Sequence, residues 1–506
     1  MLAKVFSCAL IGLDGFVVEV EVDISAGLPS FTVVGLPDTA VQEARERVRS
    51  AIKNSGCFFP AKRVTVNLAP AHVKKAGPAY DLPIAIGVLI STGQLVANLQ
   101  KTVFLGEISL DGSIRHTNGV LSMVAVAREK GMRQVYVPYE DAAEAALVSD
   151  LEIIPCVSLS QIIFHLRGEL QIAAFMPQET AVISQSDPAL PDLSHIKGQE
   201  HAKRAIEIAA AGSHNVLMSG PPGSGKTMLA RSLPAIIPEL KINQAIDVTK
   251  IYSVCGLLGD HRPLINRPPF RSPHYTISHA GLVGGGHMPR PGEISLSHNG
   301  ILFLDEFPEF NRISLESLRQ PMEDKIVTIS RAQGSVTFPA RFMLVAAMNP
   351  CPCGYYGDNT RECRCTLSEI LRYQKRISGP LLDRIDIFVD VPRVEYEKLL
   401  SDGDGESSHT VRQRVLKARQ IQHQRFAKRN ILTNSEMAGM EVKEFCSLDA
   451  PAQALLRTAM KQMNFTARAF HRILKLARTI ADLDGAEIIR TNHLAESLQY
   501  RQRPAV

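Results

Sequence analysis

The chain has 506 residues, 45% of them hydrophobic and 21% charged, with a formal net charge of +5. That length exceeds what one hydrophobic core supports and predicts a multidomain globular protein. The charge is only mildly basic, so composition alone names no nucleic-acid partner, and no apolar run approaches the roughly 20 residues needed to cross a bilayer, which argues against a membrane span.

The N-terminal MLAKVFSCALIGLDGF carries a lysine, a short apolar run and Cys8, superficially like an export signal. Asp14 closes the run early and FVVEVEVDI then alternates as a strand does, so no signal is expected. Further strand signals, FTVVG, RVTVNLA, VFLGEI and QVYVP, are interspersed with helical stretches at Thr39 to Ser55 and Leu121 to Lys130. They predict an α+β or α/β first domain over residues 1–175. Within it, Lys74 and Lys75 could contact phosphates, although a solvated pair is the ordinary state of lysine and the preferred reading. A polar, proline-bearing linker covers 176–192. From 193 to 395 strands and helices alternate, as in a parallel sheet covered on both faces. Residues 396–506 contain the acidic loop SDGDGESS and are otherwise helical in pattern. Of nine cysteines, five (Cys8, Cys57, Cys156, Cys255, Cys446) are scattered singly; this fits no disulfide framework and points to a cytoplasmic location.

NVLMSGPPGSGKTMLARSL places Gly220, Pro221, Pro222, Gly223, Ser224, Gly225, Lys226 and Thr227 between an apolar strand and an apolar-periodic helix. This is the context of a phosphate-binding loop. Its backbone N–H groups curl around phosphates, Lys226 reaches the β and γ phosphates of ATP, and the Thr227 hydroxyl binds Mg2+. Further on, GILFLDEF gives a buried strand ending in Asp305 and Glu306. Two carboxylates there are costly unless they work: Asp305 to hold magnesium through water, Glu306 to polarise the attacking water. FMLVAAMN is another apolar strand, and its terminal Asn349 is placed to orient that water.

These motifs, with GPLLDRIDI and TARAFHRILKLART, resemble an AAA+ ATPase of the magnesium-chelatase-like group, and the match along the whole chain is closest to the YifB/ComM family. The resemblance implies an AAA+ P-loop parallel sheet with a C-terminal helical lid, preceded by an α+β Lon-protease-like domain. It implies that Arg384 is an arginine finger serving a neighbour's site and Arg468 a second sensor in the lid, and hence a homo-oligomer, a hexameric ring. The function it implies is an ATP-driven DNA translocase or helicase promoting branch migration or strand exchange in natural transformation. The alternative is a motor that remodels a protein partner, as the magnesium-chelatase ATPase does. In the Lon-like domain, GPAYDLPIAIGVLIS has Ala79 where Lon carries its serine, and Leu121 stands at the position of the lysine, so the domain is expected to be catalytically empty.

GLVGGGHMPRPGE, residues 281–293, is too rich in glycine and proline for core structure and reads as an inserted loop carrying Arg290. KIVTISRAQGSVTFPAR reads as two strands about a turn, with Arg331 at or beside the tip. It resembles the presensor hairpin of ring helicases. Arg331 and Arg290 are therefore the candidate contacts to single-stranded or branched DNA, with a subunit contact as the alternative. The stretch 410–430 adds seven cations and no acid, but lacks aromatics interleaved among them for base stacking. Finally, NPCPCGYYGDNTRECRC sets Cys351, Cys353, Cys363 and Cys365 directly after Asn349. Tetrahedral structural Zn2+ is the leading reading, with redox-active thiols the other. The zinc would brace the segment running from Asn349 to Arg384, and the phosphate loop is expected not to depend on it.

Overall fold

The computed structural model describes residues 2–36, 38–71, 75, 77–176, 191–259, 263–286, 289–331, 334–358, 361–394, 405–463 and 465–501. The chain divides into two units, Met1–Ser184 with Ile242–Ile265, and Gln185–Lys241 with Asn266–Val506.

The first unit is built on a seven-stranded sheet in the order Ser30–Val34, Arg63–Ala69, Asp14–Ser25, Ala3–Ile11, Thr102–Phe104, Gln134–Pro138, Glu152–Cys156. The signal-like N-terminal run is one of its strands, paired antiparallel with FVVEVEVDI in the register Val5↔Val20. Alternation explains the pairing: Val18, Val20 and Val22 are fully buried, while Glu19 and Glu21 are only partly covered. Helices Thr39–Asn54 and Asp81–Ser91 join Val5, Val18 and Val20 in one core, and helix Val120–Glu129 joins Cys8 and Val103 in another, so the sheet is covered on both faces. The apolar run LPIAIGVLI is thus a core helix, buried on nearly every side. Helix Ile242–Cys255 belongs to this unit although the chain reaches it from the phosphate-loop helix. It buries Ala245, Val248 and Ile251; Ser253 Oγ donates to Glu144 at 2.5 Å, and the Gly119 N–H donates to the Ser253 carbonyl at 3.2 Å. These contacts group residues 242–265 with the first unit.

Lys75 is not half of a solvated pair. It is 0% exposed, its backbone bonds to Leu36 and Asp38, and its ammonium donates to the Pro70 carbonyl; Lys74 lies outside the described residues. Of the two residues expected to stand in for the Lon dyad, Ala79 is half-buried and Leu121 buried.

The second unit carries a five-stranded, wholly parallel sheet in the order Phe270–Arg271, Gly300–Leu304, Phe342–Met348, Val216–Ser219, Ile387–Asp390. Its central strands are apolar throughout because helices on both faces leave no wet side. Helices Ser408–Arg425, Gly439–Phe445, Ala450–Gln462, Ala467–Leu483 and Thr491–Gln499 form the C-terminal region, most of them meeting in a core of their own. The protein is thus mixed α/β with a parallel sheet and a helical C-terminal region. Strands Ile326–Arg331 and Gly334–Pro339 form the expected hairpin. The described residues of 281–293 lie in more regular structure than a loop. They hold the end of helix His279–Val283, a two-residue ladder pairing Gly284–Gly285 with Arg290–Pro291, and the start of helix Glu293–Leu296, with Leu282 and Ile294 fully buried. No helix among the described residues is long and apolar enough to cross a membrane.

One buried ion pair supports the helix after Ala79. Asp81, 1% exposed, accepts from Arg47 Nε at 2.6 Å and Nη2 at 3.1 Å. Burial raises its carboxyl to about 6 even against Arg47, so ionising it in the folded chain costs stability as pH climbs from the unfolded value of about 4 through 6, and Arg47 limits that cost. Arg47→Ala is expected to destabilise the first unit by about 2 kcal/mol. The loss should be larger at about pH 8 than at about pH 5, where Asp81 can take a proton; denaturant melts at the two pH values check it, and equal losses would contradict the pairing.

Candidate nucleotide site

Strand Val216–Ser219 runs through the parallel sheet and opens at its carboxyl end into residues 220–225, after which helix Lys226–Ile236 begins. Gly225 caps that helix at φ 88, a left-handed conformation that glycine takes without penalty. Lys226 is 7% exposed; its Nζ donates to the carbonyls of Gly220 at 2.7 Å and Pro221 at 2.9 Å and to Asn349 Oδ1 at 3.3 Å. Burial pulls its ammonium down to about 8, against the opposing charge of Asp305. The Thr227 hydroxyl donates to Asp305 Oδ2 at 2.8 Å. Two hard oxygens at the loop mouth are the donors magnesium takes, and the residues fit that ion. Glu306 is exposed and adopts φ 51, left-handed for a non-glycine residue and a strain of about 1 kcal/mol; its N–H donates to Asp305 Oδ1 at 3.0 Å. Asn349 follows strand Phe342–Met348, which lies between the strands bearing the loop and Asp305. Three adjacent strand ends thus bring together Lys226, Thr227, Asp305, Glu306 and Asn349.

The two arginines expected to act at a distance gather elsewhere in the same unit. Arg384 is 5% exposed, ion-paired with Glu323, and its Nη1 donates to the Pro380 carbonyl at 2.6 Å. Arg468 is exposed at the start of helix Ala467–Leu483. Arg384's hydrogen bond, with the charges of Arg468 and Arg472, holds Glu323 below the usual carboxylate range.

The four clustered thiols converge. Sulfur separations are 3.3 Å for Cys351–Cys353, 3.5 Å for Cys353–Cys363 and 3.7 Å for Cys351–Cys363, and all four sulfurs lie within 4.8 Å of one another. None is bridged. A zinc tetrahedron with Zn–S of ~2.3 Å has edges of about 3.8 Å, so the spacing suits that ion. Burial pushes the Cys353 thiol up, but N–H groups of Tyr355 and Arg364 and the neighbouring thiols outweigh it and leave it lowered to about 6.

Residues 192–399 match the family described as magnesium chelatase, subunit ChlI; residues 20–141 match subunit ChlI of Mg-chelatase, and residues 405–501 the ChlI C-terminal family. The competence protein ComM of Haemophilus influenzae is 45% identical over 505 residues, 99% of this chain and 97% of that protein. The chain belongs to the YifB/ComM family of magnesium-chelatase-like AAA+ ATPases. The YifB protein of Salmonella typhimurium is 43% identical over 503 residues, 99% of this chain and 97% of that one. Lon protease 2 of Bacillus subtilis is 31% identical over 149 residues, 27% of this chain and 26% of that protein.

In this YifB/ComM chain the candidate DNA contacts share one projection. Arg331 is exposed at the end of its strand, and its Nη2 lies 3.5 Å from where a Cβ on Gly285 would sit; Gly285 pairs with Arg290, which is also exposed. The stretch 410–430 lends less support than its composition suggests. Five of its seven cations are engaged within the chain: Arg412 with Glu239, Arg414 with Glu207, Arg425 with Asp482, Arg429 with Glu441, and Arg419 on the Ala210 carbonyl. Gln199 went unnoticed in the sequence. Left-handed at φ 60, it donates through Nε2 to the carbonyls of Ser224, at 2.5 Å, and Pro392, at 3.0 Å, and its Oε1 is buried without a partner beside the phosphate loop. The signal was Gly198-Gln199 standing just before an amphipathic helix that precedes the loop strand.

Proposed function

We propose that the chain is the subunit of a ring-forming, ATP-driven DNA motor, a translocase or helicase that promotes branch migration or strand exchange in recombination. The observation that carries the reading is the convergence of the three adjacent strand ends on one point. The loop N–H groups and Lys226 bind the β and γ phosphates. Thr227 and Asp305 would hold Mg2+, which would neutralise charge on the phosphate oxygens. Glu306 takes the proton of the attacking water and Asn349 orients that water. Arg384 serves a neighbouring subunit's site, and Arg468 is the second sensor. Because Arg384 is paired with Glu323 in its own chain, assembly must exchange that carboxylate for the neighbour's phosphate. A finger of this kind is worth on the order of 10³ in rate. A site completed by a neighbour calls for a closed ring, hexameric by family resemblance.

Arg331 and Arg290 support DNA as the track, since cations from two segments meet on one exposed edge. The name of the Haemophilus relative supports a setting in uptake of transforming DNA. The internally paired cations of 410–430 favour the second reading, a motor acting on a protein partner. With Ala79 and Leu121 in place of serine and lysine, the N-terminal domain has no peptidase activity in this reading and serves the motor as a scaffold. Cys351, Cys353, Cys363 and Cys365 hold a structural zinc, since four thiolates leave no open coordination position.

Glu306→Gln is expected to bind ATP and not hydrolyse it, and Arg384→Ala to do the same for a different reason. Mixing the two variants should restore part of the turnover, because some interfaces then hold an intact Glu306 facing an intact Arg384. No recovery at any mixing ratio counts against a shared site.

Arg331→Ala should weaken single-stranded DNA binding and reduce the magnitude of its salt slope by about one, the signature of one lost phosphate contact. ATPase activity without DNA should persist. If DNA never stimulates the wild-type ATPase and the variant loses only oligomerisation, the hairpin is a subunit contact and the protein-remodelling reading stands.

A further inference from the structure

The four-cysteine segment is built onto the phosphate loop. Gly354, immediately after Cys353, sits at φ 86 with its N–H donating to the Cys351 carbonyl at 3.0 Å. A Cβ there would lie 2.6 Å from Cδ and 2.7 Å from Cγ of Pro222, and 3.8 Å from Cγ of Asn349. Only glycine permits this: the left-handed backbone and the proline ring each leave no place for a side chain. The segment is fixed on its other sides as well. Arg361 lies over the Tyr355 ring at 4.4 Å and Arg393 approaches the same ring at 5.5 Å; Arg393 also pairs with the almost fully buried Asp358 side chain at 3.3 Å. Arg393 is two residues beyond Val391, whose N–H donates to the Ser219 carbonyl at 2.7 Å at the root of the phosphate loop. Gln374 Nε2 donates to the Pro350 carbonyl at 3.1 Å. The thiol segment therefore touches the loop at Pro222 and is tied to the strand ends on either side of it.

We propose that this segment forms a wall of the nucleotide site and that metal occupancy of its four thiolates sets nucleotide affinity. The proposal rests on the zinc reading given above and extends it from bracing Arg384 to supporting the phosphate loop itself. A dication held by the four sulfurs ties Cys351 and Cys353 to Cys363 and Cys365; without it the thiols take up protons and that cross-link is gone. Without the ion the segment loosens, Pro222 loses the backbone packed against it, and the loop must be ordered by the nucleotide at the expense of binding. The wall also makes the phosphate loop dependent on the cysteines, against the sequence-based expectation that it is independent of them.

The test uses the full chain, purified without chelator. Zinc is measured by atomic absorption, and affinity by titration with a fluorescent ADP analogue in magnesium buffer before and after metal removal with phenanthroline. The expected result is one zinc per chain and nucleotide binding weakened on the order of tenfold on its removal, recovered when zinc is restored. Gly354→Ala should keep its zinc and still bind nucleotide on the order of tenfold more weakly, because the added methyl displaces Pro222. This variant decides the matter if the metal-free protein aggregates. A wild-type zinc content near zero overturns the zinc reading and the metal dependence with it. One zinc per chain, with affinity unchanged both on its removal and in Gly354→Ala, overturns the wall alone and leaves the zinc reading standing.

Discussion

The site depends on how the phosphate-loop strand sits against its two neighbours in the sheet, and one side chain reaches both. Asn215 precedes the phosphate-loop strand. Its Oδ1 accepts from the Leu344 N–H at 2.9 Å, its Nδ2 donates to the Arg384 carbonyl at 3.0 Å, and its own N–H donates to Asp386 Oδ2 at 3.0 Å. The strand bearing Asn349 and the segment bearing Arg384 are thereby pinned to the strand bearing Lys226 before any of them reaches the site. Burial pushes the Asp386 carboxyl up, but Arg472 and His214 outweigh it and hold it well below the usual range. Arg472 comes from helix Ala467–Leu483. The same carboxylate that orients Asn215 therefore ties the sheet to the C-terminal helices.

A parallel strand slipped by one residue turns its whole side-chain set over. The polar clamp is at the amino ends of the strands because apolar packing along their length, among Val216, Val345 and Ile387, is tolerant of sliding, whereas hydrogen bonds to one amide are not. Glu306 shows what this rigidity permits: a left-handed glutamate persists only where the surrounding sheet holds it there.

Much of this could be read in the sequence. The strand–loop–helix pattern about Lys226, the strands ending in Asp305 and Asn349, the hairpin and the clustering of four thiols all follow from local periodicity and spacing. What escaped was which side chains and backbone groups meet in the folded chain. Nothing near Lys75 announces that its amine is buried on the Pro70 carbonyl, and no spacing rule places Gly354 on Pro222 or Glu323 on Arg384. The basic look of 410–430 misled because charge counts do not say which acids lie across from them; Glu207, Glu239 and Asp482 do. Gln199 was invisible for the same reason, since its partners are backbone carbonyls 25 and 193 positions away.

Helix Ile242–Cys255 makes the order of synthesis matter. The first unit is encoded mostly before residue 185, yet the helix that covers Gly119, Leu121 and Glu144 leaves the ribosome only after the entire phosphate loop has been made. Until then Glu144, a carboxyl that burial raises above its usual value even with the help of Ser253 and the Leu121 N–H, waits without one of its two donors. Domains ordinarily complete themselves from the N-terminus forward. Here the first unit closes only with its own late segment, made after the phosphate loop, so a nascent chain stalled or truncated after residue 241 has the strands of the first sheet but leaves Glu144 without Ser253.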